Sequence, residues 1–262
     1  MPETTPKRLV LSLLSAPELE EAEISKLVLW AGLFDVDAAT LRVTVGRLTR
    51  QGLLTSPRRG VYRIGPQGER LASTAQAWAN AEQAIVPWQG DWLLAHTAHL
   101  GRSNKTRLRG RERAFRLIGF AQCMCALWCR PANLGQDLDD TRDQLVELGL
   151  DETAPLLRAS AISGVSEQQL FALWPRKHLE KAYRQHLKAM HNSRKKLPRM
   201  ALADAARETI LVGEAVIRQI NADPLLPEQM IDTRSRSDMI ATMLEYDAVG
   251  REIWRQFTAS HN

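Results

Sequence analysis

Apolar residues recur at intervals of three and four along the first fifty positions. In KRLVLSLLS they stand at 9, 10, 13 and 14, a helical spacing. Pro17 and a cluster of acids interrupt, and AEISKLVLWAGLF then repeats the pattern with Ile24, Leu27, Val28 and Ala31, with Gly32 near its expected end. Asp37 suits the N-cap of a third helix, which carries Leu41, Val45 and Leu48 on one stripe and stops near Gly52. LLTSPRRGVYRIG reads as two short strands about a PRRG turn. Pro66 opens a fourth helix, PQGERLASTAQAWANAEQ, where proline is favoured in the first turn. Three helices, a hairpin and a connecting helix predict a winged helix-turn-helix over residues 7–70, with a linker helix over 71–86. A plain three-helix bundle with an arginine-rich surface is the competing reading.

The pattern changes after Pro87. WQGDWLLAHTAH predicts a strand, with Trp88 and Trp92 flanking a Gly-Asp turn. RERAFRLIGFAQCMCALWCRP predicts a helix running to Gly119 and then a strand ending at Pro131. LDDTRDQLVELGL is helical in spacing and APLLRASAIS is strand-like. Elements of this length fit a compact α+β middle domain of ferredoxin-like type over 87–163. From Ser166 onward the chain reads as helix, giving a helical C-terminal domain over 164–262, with DPLLPEQM as a proline-bounded loop. The fold class expected is therefore α+β, mostly α.

Composition adds little until the charges are placed. The 262 residues are 44% hydrophobic and 25% charged, ordinary for a globular protein. A net charge of +5 leans modestly towards an anionic partner. From Ala38 to Gly68, however, six arginines occur with no acid. A solvated helix face usually mixes signs, since opposite charges three or four apart support it. Arg102 to Arg116 holds seven basic residues and one acid, and Arg176 to Arg199 nine and one. No stretch reaches the length of apolar residues that spans a bilayer. The apolar run after Lys7 and Arg8 is too short for a signal peptide and ends in acids. Three bunched cysteines, Cys123, Cys125 and Cys129, make no disulfide framework and fit a reducing cytoplasm.

On a helical wheel, the face opposite Leu41, Val45 and Leu48 carries Ala39, Thr40, Val43, Gly46, Arg47 and Arg50, with Arg42 on the flank. Arginine bonds guanine bidentately, valine can meet a thymine methyl, and small residues allow close approach to a groove. Arg58, Arg59 and Arg63 of the hairpin are expected at phosphates or in a narrow minor groove. Arg42 is equally well read as an internal ion pair with Asp35 or Asp37.

Catalytic chemistry finds no candidate. C-x-C-x-x-x-C lacks the paired spacing and fourth ligand of a zinc site, and Cys123 and Cys125 are expected to share one face of a strand. His178, His186 and His191 do not stand four apart as a helical metal pair does. There is no G-x-S-x-G and no glycine-rich phosphate loop. The middle domain is similar in outline to the small endoribonucleases of CRISPR systems, which use an aspartate at the end of the first strand. Here WLLAHTAH ends in histidine and threonine, with Asp91 at its start. No enzyme, metal or cofactor is expected.

Over most of its length, from about Lys7, the chain resembles the PaaX family of bacterial transcriptional repressors, which control phenylacetic acid catabolism and related aromatic pathways. The stretches that carry the resemblance are LRVTVGRLTRQGLL with RRGVYRIGPQGERL, WQGDWLLAHTA, RERAFRLIGFAQCMCALWCRP, LWPRKHLEKAYRQHL and DPLLPEQM. It implies a homodimer on palindromic operator DNA, released by an aryl- or acyl-CoA effector, phenylacetyl-CoA in the best known branch. CoA phosphates need basic groups and its acyl chain an apolar slot. Arg107, Arg109 and Arg111, with Trp88, Trp92 and Trp128, are the candidates, Trp174 standing near them; packing is the alternative role for the tryptophans. SRKKLPR, residues 193–199, reads as a solvated loop. One departure stands out: IDTRSRSD follows DPLLPEQM where the family has a Trp-Pro-Gly stretch. An enzyme acting on RNA or a CoA thioester, and a winged-helix interaction module without DNA, are the rival readings.

Overall fold

The computed structural model describes residues 5–15, 21–69 and 76–260. Among the described residues the chain is α+β and mostly helical, with two small antiparallel sheets. It divides into two compact units: Met1–Ala77 with Asn192–Glu214 and Glu245–Asn262, and Trp78–His191 with Ala215–Leu244. The helices of the segment 164–262 are thus shared between both units. Each unit draws on residues distant in sequence, a pairing that local periodicity does not reveal.

In the first unit, α1 (Pro6–Leu14) starts at Thr5, whose hydroxyl accepts from the Arg8 amide, with Pro6 in the first turn. Next come β1 (Ala22–Glu23), α2 (Ile24–Gly32) and α3 (Ala38–Arg50). Strands β2 (Leu54–Arg58) and β3 (Val61–Ile64) form the expected hairpin about Gly60, whose φ of +78° favours glycine. The short β1 adds a third strand that the sequence pattern did not show, pairing Ala22 with Tyr62 and Glu23 with Val61. Leu9, Leu13, Leu27, Leu41, Val45, Leu48 and Leu54 share one core with Trp30. Ala206 and Phe257 complete it from the C-terminal segments, and the Trp254 indole donates to the Ala206 carbonyl at 3.0 Å.

The IGPQG segment closes the hairpin by backbone contact. Residues 66–69 are helical, and residues 70–75 of the expected connecting helix lie outside the described residues. From Ala77 to Asn80 the chain is a 3-10 turn, so the α-helix does not continue to residue 86. A Cβ on Gly65 would stand 2.6 Å from the Gly52 carbonyl oxygen, and one on Gly68 would overlap the Leu53 carbonyl. Gly68→Ala is therefore expected to destabilise the protein by about 3 kcal/mol, as overpacking against unyielding backbone does. A lowered urea midpoint checks it, whereas an unchanged midpoint means the helix can shift freely.

The second unit contains β4 (Trp92–His96), α4 (Lys105–Leu117), β5 (Ala121–Met124), β6 (Leu127–Pro131), α5 (Leu138–Glu147) and β7 (Leu156–Ala159). The sheet order is β5-β6-β4-β7, antiparallel throughout. Where one strand was expected before Pro131 there is a hairpin, turning at Ala126 with φ +59°. Cys125 falls in that turn and is exposed, while Cys123 faces Cys129 across the hairpin. The expectation that Cys123 and Cys125 share a strand face therefore fails. The Cys129 thiol beside it holds Cys123 below the ordinary thiol range. Leu93, Ala95, Phe115, Trp128 and Leu145 form the core on one face of the sheet.

After α6 (Glu167–Phe171), Pro175 breaks the helical run and α7 (Arg176–Lys196) begins, followed by α8 (Leu202–Asn221) and α9 (Arg234–Ala259). Residues 193–196 belong to α7 and Leu197–Arg199 is a 3-10 turn, so SRKKLPR is helical rather than a loop. The loop of DPLLP is tied down by side chains from remote elements. Arg130 donates to the Pro224 carbonyl, Asn133 to that of Leu225 at 2.7 Å, and Arg236 to that of Leu226 at 2.8 Å. Asp223 accepts from Tyr183 at 2.5 Å and from the Leu225 amide at 2.9 Å. Leu225 itself has φ +50°. The clamp joins Arg130 of WCRP, the DPLLP segment and Arg236 of IDTRSRSD.

Candidate nucleic-acid interface

Helix α3 is built to leave one face open. Its four buried positions, Leu41, Thr44, Val45 and Leu48, fill the core side. The opposite positions Ala39, Thr40, Arg42, Val43, Gly46, Arg47 and Arg50 are all exposed, and Val43 is 70% exposed. Nothing lies within 4 Å of a Cβ built on Gly46, so the centre of this face is flat and unobstructed.

The acids flanking α3 are already engaged. Asp37 caps the helix, accepting from the Thr40 amide at 2.9 Å and the Thr40 hydroxyl at 2.6 Å. Those bonds, the hydroxyl first, hold the Asp37 carboxyl below its usual range. They also use the only hydroxyl hydrogen of Thr40, so Thr40 has no donor left for a phosphate. Asp35 pairs with Arg207 at 2.8 Å. Arg42 thus pairs with neither Asp35 nor Asp37; Arg42 and Arg47 have no ion-pair partner among the described residues. Arg50 makes one long bond, Nε to the Gly46 carbonyl at 3.4 Å. Arg47 and Arg50 stand in the last turn, where positive charge also suits the helix dipole.

The three hairpin arginines fare differently. Arg59 is exposed and, among the described residues, unpaired. Arg63 donates to the Thr55 hydroxyl at 3.3 Å. Arg58 pairs with Glu21 at 2.6 Å, an acid from before the arginine-rich run. Both side chains are well exposed, 67% and 38%, so the pair adds little stability and can exchange for another anion. Glu21 was missed because nothing in the local pattern places it beside the turn.

The effector candidates are scattered. Arg111 is 4% exposed and pairs with Asp151 at 2.8 Å; Arg107 pairs with the same carboxylate. Burial alone would raise Asp151, but Arg111 first and Arg107 second outweigh it and hold the carboxyl below its usual range. Arg111 is committed to that ion pair and is not free for a ligand. Arg109 is exposed, without an ion-pair partner among the described residues. Trp128 stacks on Phe115 at 4.7 Å within the core. Trp92 lies across the sheet from it, edge-on to Trp88 at 5.3 Å and stacked on Trp174 at 6.3 Å. The Trp174 indole donates to the Gly119 carbonyl at 3.1 Å. Being on opposite faces of the sheet, Trp128 and the Trp88–Trp92 pair cannot wall one slot.

Among the described residues, no three His, Cys, Asp or Glu side chains converge as a metal site, and no helix is long and apolar enough to cross a membrane. No known family model matches the chain, and no curated protein does. The structure is similar to that of the uncharacterized protein Rv0674 from Mycobacterium tuberculosis, with a TM-score of 0.60 at 20% identity, over 94% of this chain and 99% of that one. At that identity the likeness is one of fold alone.

Proposed function

We propose that this protein is a DNA-binding transcriptional regulator of the PaaX type, a repressor in the cytoplasm that leaves its operator when an aryl- or acyl-CoA binds. The observation that carries the reading is the open face of α3, where Val43, Gly46, Arg47 and Arg50 are exposed and no acid of the described residues pairs with Arg42 or Arg47. A helix seated in a major groove needs this arrangement: small residues for close approach, arginines for guanine, and no repelling carboxylate.

In this reading α1 to α3 with the hairpin form a winged helix, α3 being the recognition helix and Arg59 a cation of the wing that has no ion-pair partner among the described residues. Arg58 trades Glu21 for a phosphate on binding. The β-α-β-β-α-β order of the second unit, with its strand order, supports a ferredoxin-like reading of that region. It serves as the sensing part rather than as an enzyme. Of the basic candidates, Arg109 has no ion-pair partner among the described residues and is offered to CoA phosphates, while Arg111 serves the fold. Two copies on a palindrome bring two recognition helices to half-sites about one helical turn apart, and a change in their spacing releases the DNA.

The test is titration of phenylacetyl-CoA into the complex of the protein with its own upstream DNA at fixed salt. Release by the thioester and not by free CoA is the expected result. Binding that ignores every acyl-CoA tried overturns the effector half of the proposal and leaves the DNA half standing.

A further inference from the structure

Helix α7 carries a second basic surface that the reading above does not use. Lys177, Lys181, Arg184, Lys188 and His191 are all exposed. Their spacings of four, three, four and three place them within a sector of about 80° on a regular helix, in a row about 21 Å long. Among the described residues none of them has an ion-pair partner. Glu180, the one acid of α7, lies at the margin of the row and is taken by Arg176 at 3.1 Å. Like charges three or four apart destabilise a helix, so an uncompensated row works against the fold that displays it.

The chemistry of the row selects among polyanions. The opposite side of α7, with Leu179, Tyr183 and Met190, is buried in the protein, so no apolar face remains to enter a lipid surface. The row has no aromatic or large apolar residue to anchor a protein partner, and lysine is depleted from such interfaces. What it offers is a line of flexible point charges, which suits phosphates. A strand of B-form DNA places about six phosphates along the same length of helix axis.

We propose that the stripe Lys177, Lys181, Arg184 and Lys188 is a DNA-contacting surface of its own, which binds the phosphate backbone of duplex DNA. This inference rests on the DNA-binding reading. The test compares wild type with a Lys181→Ala/Arg184→Ala/Lys188→Ala variant on a random-sequence duplex, by fluorescence anisotropy over a salt series. The expected result is an affinity at least about tenfold weaker. The slope of log affinity against log salt should also be shallower by about 2–3, each phosphate contact contributing about 0.9. The preference for upstream over random DNA stays unchanged, and a Lys181→Arg/Lys188→Arg variant keeps the wild-type slope.

A triple variant with wild-type affinity and slope overturns the stripe. If Arg47→Ala/Arg50→Ala in the same assay lowers the sequence preference, the DNA-binding reading survives that failure. A triple variant that loses binding to polyglutamate but not to DNA assigns the row to an acidic protein, which also overturns the proposal. Absence of any DNA binding by wild type removes both.

Discussion

Replacing Arg47 and Arg50 together by alanine is expected to weaken specific binding to upstream DNA by about 2–5 kcal/mol, a loss of roughly 30-fold or more. The size follows from what each side chain is free to do. Arg47 has no partner to abandon among the described residues, and Arg50 gives up only a 3.4 Å bond to Gly46. Neither therefore spends binding energy on leaving an internal contact, and each retains a fork of donors for a guanine edge. Arg58→Ala is the internal control. That arginine leaves an exposed pair with Glu21 to meet a phosphate, so its loss should lower affinity for all sequences alike and reduce the salt slope by about 0.9. Arg47 and Arg50, in the last turn of α3, both favour the helix dipole, so circular dichroism of the double variant must match wild type before the affinities are compared.

Asp151→Ala is expected to cost about 3 kcal/mol of stability, because it strands the buried Arg111 guanidinium without a counter-charge. The second partner, Arg107, is largely exposed and adds little. The sign with pH is fixed by the direction of the shift. The Asp151 carboxyl is held low in the folded protein, so its contribution is complete above the unfolded carboxylate range near about 4. It is lost as pH falls through the lower folded value. Urea midpoints of wild type and variant should therefore differ at neutral pH and draw together in strong acid. A gap that does not narrow would mean that the ion pair is not its source. Arg111→Met, which removes the buried charge along with its partner's need, should cost less than Asp151→Ala.

The N-terminal helices and hairpin were legible because their signals are local. Asp37 caps α3, three leucine and valine positions define its buried face, and Gly60 turns the hairpin, all within a few residues of one another. The same locality made the open face of α3 readable from a wheel. What escaped was set by distance along the chain. Glu21 reaches Arg58 across 37 residues, Arg207 takes Asp35 across 172, and Asp151 claims Arg111 across 40. Each of these pairs decides whether an arginine is free or spent, and none has a periodic signature. Charge counting also blurred the basic C-terminal run. The segment 193–199 was read as a loop, whereas residues 193–196 continue the helix that already carries Lys177 to His191. The cysteine hairpin was misread for a related reason: Ala126 takes up a left-handed backbone that favours glycine, and alanine gives no turn signal.

The most direct measurement is the affinity of the purified protein for its own upstream DNA relative to random-sequence duplex, at one fixed salt concentration. The account predicts a preference of at least about a thousandfold for the upstream DNA, as specific regulators show. It also predicts that this preference falls by roughly 30-fold or more in Arg47→Ala/Arg50→Ala while the helical signal is retained. Equal affinity for both duplexes, or a preference unchanged by the double substitution, would contradict α3 as the element that reads DNA.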